Sequence, residues 1–212
     1  KLGYVWLISV VAAMGGLLFG WDWVVIGGAK PFFQRYFQLT SEAQIGWANS
    51  CALVGCLAGA LTAGVLSDRF GRKRLLIVAA FLFALTSLGN ALANSFTVFI
   101  AWRMLGGVAI GLASNLSPMY IAEVAPAQMR GKLVAINQLT IVIGILLAQY
   151  LNWFLARNLP EGATDEFIRT SWFGQQGWRW MFGLTAAPSL MGIPCLAQWR
   201  SKSSRAAQRL ER

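Results

Sequence analysis

The sequence contains no histidine, only eight acidic residues and only three cysteines among its 212 residues. Without histidine, neither histidine-based catalysis nor histidine ligation of a metal is available. Cys51, Cys56 and Cys195 all lie in apolar runs, and the first two are spaced so that they face different directions on a helix. We therefore expect no disulfide framework, no metal site and no cofactor.

Charge is scarce as well. Charged residues make up 12% of the chain and hydrophobic residues 57%, whereas a soluble globular domain carries roughly 25% charged residues. This composition predicts an integral membrane protein. The net charge of +10 would suggest nucleic acid as the partner of a soluble protein, but here it must be judged by where the charges fall relative to the apolar runs. We expect a lipid bilayer, and no nucleic acid, as the partner.

Six apolar runs are long enough to cross a bilayer as helices, which takes roughly 20 residues each. The predicted spans are Tyr4–Gly27, Ile45–Leu66, Leu75–Ala93, Thr97–Tyr120, Leu133–Phe154 and Trp180–Leu196, with long loops after the first and fifth. The predicted fold is an all-α bundle of six transmembrane helices over residues 1–198, followed by a basic cytoplasmic tail at 199–212. By the Lys and Arg bias of the loops, twelve basic residues lie on one side and five on the other, so both termini are expected in the cytoplasm.

Small residues recur four apart within three of the spans. Such faces let helix backbones approach closely. Their concentration in the first and fourth spans is compatible with two inverted three-helix repeats, and a tightly packed bundle without repeats is the alternative. The residues are Gly16 and Gly20, then Gly55, Gly59 and Ala63, and finally Gly107 and Gly111.

Only two ionisable residues lie deep within the predicted spans, Asp22 in the first and Arg103 in the fourth. Asp22 comes five residues before its span ends and Arg103 six residues after its span begins, roughly 7 to 9 Å below the same membrane edge at 1.5 Å per residue. Opposite charges at similar depth are expected to pair. A proton on Asp22 would break such a contact, which is the minimal chemistry of proton coupling. A permanent ion pair that fixes the bundle is the alternative.

Further charges cluster in the loops on the cytoplasmic side. The loop after the second span reads DRFGRKR, and the loop after the fourth reads EVAPAQMRGK. An inner network of Asp68, Arg69, Glu123 and Arg130 is predicted there, which would latch one conformation of the bundle. A simple positive-inside anchor explains the same charges.

Five stretches together resemble the N-terminal half of the sugar porter family of the major facilitator superfamily. They are GGLLFGWD, GVLSDRFGRKR, RMLGGVAIGL, PMYIAEVAPAQMRG and INQLTIVIGILLAQ, in the order and spacing of the family, and GWRWMF before the sixth span also fits. The resemblance implies the N-terminal bundle of a proton-coupled monosaccharide transporter, multi-pass in the plasma (inner) membrane.

The resemblance also implies roles for individual residues. Asp22 corresponds to the proton-coupling aspartate of symporters and Arg103 to its partner. Gln138 and Phe19 correspond to residues that face the sugar, and an amide suits vicinal hydroxyls. Ile145 stands where some pentose transporters have a glutamine, so it favours a hexose. The family's inner gating positions correspond to Asp68, Arg69, Gly71, Arg72, Lys73, Glu123 and Arg130.

The sequence departs from the family in two places. The segment after the sixth span reads IPCLAQWRSKSSRAAQRLER instead of a PESPRW-like motif, and the chain has six predicted spans where the family has twelve. The sugar site would be incomplete in one copy, so we expect a truncated transporter whose partner is a C-terminal bundle or a second copy. The alternatives are a non-transporting half-bundle (a sensor, a scaffold or a gene remnant) and a facilitative sugar carrier. An enzyme is not expected.

Overall fold

The computed structural model describes residues 2–156 and 172–190, which contain helices and no strand. Five long helices come first, and a π-helical turn at Phe173–Gly177 then leads into a short sixth helix. A further helical turn covers residues 186–190. The helices are α1 (Leu2–Tyr36), α2 (Glu42–Phe70), α3 (Arg72–Ala91), α4 (Phe96–Val124), α5 (Arg130–Ala156) and α6 (Trp178–Gly183).

The five long helices are each long and apolar enough to cross a membrane, which confirms the first five predicted spans. The sixth predicted span, Trp180–Leu196, coincides with α6 and the turn at 186–190 in its first part. Its remainder lies outside the described residues, and so does the predicted tail at 199–212.

The prediction of a long loop after the first span is wrong, because α1 continues past Gly27 to Tyr36 and through Pro31. Proline removes one helical hydrogen bond, but the segment is held by packing, since Phe32 and Phe33 are buried at 5% and 0% exposure. Asp22 is consequently much further from the end of its helix than the five residues assumed in the depth estimate.

Helix α4 is central to the bundle. It packs against α2 and α3, and also along α1, while α5 packs chiefly against α1 and α6 packs chiefly against α3. Helices α2 and α5 therefore lie at the edges, where large apolar side chains are exposed, among them Leu61 at 73% and Leu146 at 62%.

Two helix pairs approach through glycine, as the spacing of small residues predicted. A Cβ on Gly55 or Gly59 would overlap the backbone of α4, and one on Gly107 or Gly111 would overlap the backbone of α2. The same holds between α1 and α5, where Gly20 lies directly against the backbone of Ile141. These contacts bring α1, α4 and their neighbours close enough for side chains deep in the bundle to meet.

The α2–α3 link is the single residue Gly71, which has φ of +84° and ψ of 139°. L-residues with a side chain rarely adopt this conformation, so the link requires glycine. Gly71 N–H donates to Ser67 O at 2.9 Å and closes the last turn of α2. The tight reversal places the charges of DRFGRKR beside the α4–α5 loop, and we call this the basic end of the bundle.

Candidate functional site

The central feature of the site is a buried ion pair between α1 and α4. Arg103 Nη1 donates to both carboxylate oxygens of Asp22, at 2.7 Å to Oδ1 and 2.9 Å to Oδ2. Arg103 is 3% exposed and Asp22 8% exposed. The structure thus brings together the two charges that the depth estimate paired. Charge-assisted hydrogen bonds of this kind are short and strong, and each charge compensates the burial of the other.

The guanidinium of Arg103 also contacts α6. Its Cζ lies 5.5 Å from the centroid of the Phe182 ring, a distance at which a cation is attracted to the face of an aromatic ring. Phe182 is 1% exposed, and its ring packs edge-on against Phe99 and Trp178, with centroids 5.6 Å and 6.4 Å away. The guanidinium of Arg103 therefore contacts both the aromatic cluster at Phe182 and the carboxylate of Asp22 on α1.

A groove of about 320 Å³ runs beside the ion pair. Helix α1 contributes Phe19, Asp22 and Trp23 to its wall, α2 contributes Asn49, and α4 contributes Arg103. The wall is mainly apolar with a few polar groups, which is the usual make-up of a small-molecule site. The side chain of Asp22, which is 11% exposed, thus belongs to a residue of the groove wall.

The three residues expected to face a sugar lie in two places. Phe19 is half-buried on the wall of the groove beside Asp22. Gln138 is exposed on α5, and Ile145 is half-buried two helical turns further along the same helix. Neither α5 residue forms part of this groove wall, so the described chain does not gather all three around one cavity.

At the basic end, the ion pairs centre on Arg72. Its Nη2 lies 2.9 Å from Asp68 Oδ1, and its Nε lies 2.9 Å from Glu123 Oε1. One guanidinium thereby joins the end of α2 to the end of α4. The carboxylates are 72% and 49% exposed, so solvent screens these pairs far more than the Asp22–Arg103 pair.

Two members of the predicted network, Arg69 and Arg130, take no part in these ion pairs. The guanidinium of Arg69 lies 5.6 Å from the centroid of the Phe70 ring. Arg130 is exposed at the start of α5, and neither arginine belongs to an ion pair among residues 2–156 and 172–190. Lys73 lines a groove of about 560 Å³ at this end, together with Arg72 and Glu123. The network predicted from the loop charges alone did not include Arg72, which the family resemblance placed among the gating positions.

Sequence reasoning also assigned no role to two polar side chains, Asn90 and Arg179. Asn90 on α3 is 3% exposed, and its Oδ1 has no hydrogen-bond partner. Arg179 lies at the opposite end from the basic end, where Nη2 donates to Tyr36 Oη at 2.9 Å, to Asn94 Oδ1 at 3.0 Å and to Ala93 O at 3.2 Å. The sequence signal for Asn90 was an asparagine within an apolar run, and the signal for Arg179 was its place in GWRWMF.

The described chain offers no metal site. Within residues 2–156 and 172–190, no group of three or more Cys, Asp or Glu side chains could hold an ion. At the groove, the carboxylate of Asp22 can bind either a proton or the guanidinium of Arg103.

Comparisons with known proteins place the whole arrangement in one family. The sequence profile described as "Sugar (and other) transporter" matches residues 8–203. The glucose transport protein of Synechocystis sp. is 45% identical over 91% of this chain and 40% of its own length. The D-xylose-proton symporter of Escherichia coli is 37% identical over 91% of this chain and 43% of its own length. The chain spans less than half the length of these relatives.

The fold is similar to that of a solved sugar transporter. The proton:xylose symporter XylE, solved with 6-bromo-6-deoxy-D-glucose bound, superposes with a TM-score of 0.84 at 37% identity. The match covers 93% of this chain and 45% of XylE. The bundle therefore has the architecture of one half of a major facilitator superfamily transporter.

Proposed function

The chain belongs to the sugar porter family of the major facilitator superfamily, and on that premise we propose that it forms the N-terminal bundle of a proton-coupled monosaccharide transporter. The single observation that carries the proposal is the Asp22–Arg103 pair, which is buried between two helices and whose two residues line the groove. An ionisable residue within a membrane span is costly and marks an ion pathway. No catalytic reaction is assigned to the chain.

The coupling step takes place at the carboxylate of Asp22. In the deprotonated state, Arg103 Nη1 binds both carboxylate oxygens and ties α1 to α4. A proton that arrives through the groove neutralises the carboxylate, and the contact between Asp22 and Arg103 is then no longer an ion pair. The helices then lose an attraction that favoured one arrangement of the bundle, so proton binding shifts the populations of two conformations.

The sugar binds between this bundle and a second one. Phe19 supplies an aromatic surface on the groove wall, and the exposed amide of Gln138 offers two donors and an acceptor to hydroxyl groups. Ile145 places an apolar side chain where some pentose transporters have a glutamine, which favours a hexose over a pentose. The named activities of the relatives, glucose transport and xylose–proton symport, support this substrate class.

The basic end forms the cytoplasmic gate. Arg72 holds Asp68 and Glu123 when the gate is closed, with Arg69, Lys73 and Arg130 nearby. Gly71 allows the tight link that places these groups together. Because the pairs are solvent-exposed and individually weak, they can open and close during transport. This assignment places the basic end and both termini in the cytoplasm of an inner-membrane protein.

The second bundle would cover the exposed apolar faces of α2 and α5 at the edges of this one. Sugar sites in transporters of this architecture lie at the interface between two halves. A separate C-terminal bundle or a second copy of the chain would supply that half. A sensor or scaffold without transport activity is the competing function, since it would use the same fold without moving its ligand.

Asp22→Asn tests the coupling step. The purified chain is reconstituted in proteoliposomes, alone and with the C-terminal half of a related xylose symporter, and assayed with labelled glucose and xylose. We expect Asp22→Asn to abolish accumulation driven by a proton gradient while counterflow exchange continues. Glu42→Gln, which removes an exposed carboxylate at the start of α2, is the matched control and should leave both processes unchanged.

Two results would count against the proposal. Accumulation that is unchanged in Asp22→Asn would remove Asp22 from coupling. If neither sugar moves in any preparation, the chain would instead be assigned to the non-transporting class.

A further inference from the structure

Two buried polar atoms beside the ion pair lack hydrogen-bond partners. They are Nε of Arg103 and Oδ1 of Asn90, in residues that are each 3% exposed. One is a donor and the other an acceptor. Buried polar groups are rarely left unpaired, and each exception calls for a physical explanation.

The packing of α3 on α4 places these two residues opposite each other. The helices are antiparallel neighbours, and a Cβ built on Gly106 would lie 3.2 Å from Thr86 Oγ1. Asn90 lies four residues after Thr86 on α3, and Arg103 lies three residues before Gly106 on α4. Residues three or four apart share one helix face. Asn90 and Arg103 therefore face each other one turn beyond the Thr86–Gly106 contact.

A second contact gives the same register. A Cβ built on Gly89 would meet the ring of Trp102, so the neighbouring residues Asn90 and Arg103 lie at the same level. Helix α6 closes this corner of the bundle, with Phe182 against Arg103 and Gly183 against Ala91.

We propose that Asn90 is the second acceptor for the Arg103 guanidinium, which moves onto the Asn90 side-chain oxygen when Asp22 takes up a proton. The proposal rests on the proposed role of Asp22 in coupling. The proton adds to the Asp22 carboxylate to give the neutral acid, and Arg103 keeps its positive charge throughout. A buried arginine that loses its counter-charge is strongly unfavourable, and the Asn90 oxygen lies buried and unpaired on the facing helix.

The other groups around Arg103 do not offer an equivalent partner. From α1 it faces Asp22, from α2 it is near the Cys51 thiol, and from α6 it faces the Phe182 ring. Thiols are weak acceptors. The Phe182 ring attracts the cation but has no oxygen or nitrogen to accept a hydrogen bond. Asn90 is thus a positioning residue, because it acts through Arg103.

The exchange has a structural consequence for the bundle. The Asp22–Arg103 contact joins α1 to α4, whereas an Asn90–Arg103 contact joins α3 to α4. A proton would therefore release α1 while α3, α4 and α6 remain together around the arginine. This releases the helix that carries Phe19 and Asp22 on the groove wall.

A double-mutant cycle tests the exchange without measuring transport. Asn90→Ala is made in the native chain and in Asp22→Asn, which mimics the protonated carboxylate. Unfolding in detergent is followed by tryptophan fluorescence. Because a hydrogen bond to a charged group is worth about 1.5 to 3 kcal/mol, we expect Asn90→Ala to raise the unfolding equilibrium constant at least about tenfold more in Asp22→Asn than in the native chain.

Asn137→Ala is the matched control. Asn137 is also buried, at 5% exposure, and its Oδ1 likewise has no partner, but it faces Gly16 between α1 and α5. The free energy of unfolding that Asn137→Ala loses through poorer packing should be the same in the native chain and in Asp22→Asn. The cycle removes effects common to both backgrounds, so only an interaction that depends on the state of Asp22 remains.

Equal losses for Asn90→Ala in the two backgrounds would show that Asn90 has only a structural role and would overturn the proposal. The same coupling at Asn137 would overturn it as well. If Asp22→Asn does not fold, Asp22→Ser replaces it as the uncharged background: the loss for Asn90→Ala must be larger there than in the native chain, and the loss for Asn137→Ala must not.

The outcome is separable from that of the coupling test. A negative cycle together with loss of accumulation in Asp22→Asn would leave proton coupling in place and remove only Asn90. A positive cycle with unchanged accumulation would establish the movement of Arg103 and reject its link to transport.

Discussion

Replacing Gly20 with alanine tests the close contact that sets the position of α1. The new Cβ would overlap the carbonyl oxygen of Ile141 and lie 3.0 Å from its carbonyl carbon and 3.2 Å from its Cα. All three atoms belong to the backbone of α5, so no side-chain rotation can relieve the overlap. Helices α1 and α5 must therefore separate.

The expected loss follows from two opposing terms. Overpacking costs roughly 1 to 3 kcal/mol, and alanine regains up to about 1 kcal/mol in a helix relative to glycine. We expect Gly20→Ala to lower the free energy of unfolding by about 1 to 2 kcal/mol. Gly27→Ala is the matched control in the same helix, because nothing lies within 4 Å of a Cβ there. It should be neutral or stabilising by up to about 1 kcal/mol.

The free energies of unfolding of the two variants are compared by detergent titration with tryptophan fluorescence. The informative quantity is the difference between the free energies of unfolding of Gly20→Ala and Gly27→Ala. Both replace a glycine in α1 with alanine, so most of the effect of helix propensity cancels. If Gly20→Ala is as stable as Gly27→Ala, then α1 does not lie against the backbone of α5, and the position of Asp22 relative to Arg103 must be reconsidered.

Two other substitutions follow from the local geometry. Gly71→Ala should lower the free energy of unfolding by about 1 to 3 kcal/mol, purely through backbone strain, since φ is +84° and no atom would contact the new Cβ; an unchanged unfolding midpoint would contradict that conformation. Arg179→Met should cost about 2 kcal/mol, because it removes a charged donor to three acceptors. Tyr36→Phe removes one of the three and should cost at most about 1 kcal/mol, so a loss as large as that of Arg179→Met would contradict the shared hydrogen bonding.

Much of the fold could be predicted from the sequence because hydropathy is a local and cumulative signal. A run of about 20 apolar residues predicts a membrane-spanning helix whatever its neighbours are, and five of the predicted spans are confirmed. Glycines four apart likewise indicate a close helix contact without naming the partner. The ends of α1 could not be predicted in the same way, since the segment beyond Gly27 is helical through the packing of Phe32 and Phe33.

The site was predicted in part for a similar reason. Asp22 and Arg103 are costly to bury singly, and their similar depth in the predicted spans suggested a pair. At the basic end, in contrast, Arg69, Arg72 and Arg130 are chemically equivalent in the sequence. Only the position of the α2–α3 reversal at Gly71 decides that Arg72 reaches both Asp68 and Glu123.

By itself, the sequence determined that the chain is a bundle of apolar helices with one buried acid and one buried base, and that it resembles sugar porters. The tertiary structure alone decided that Arg103 lies on Phe182 and that Asn90 is buried on α3 with its Oδ1 unpaired. Apolar runs and buried charges are properties of single segments, and their energies can be estimated one segment at a time. Which side chains face each other depends on the register between helices that are distant in the chain, and that register is set by the packing of all of them together.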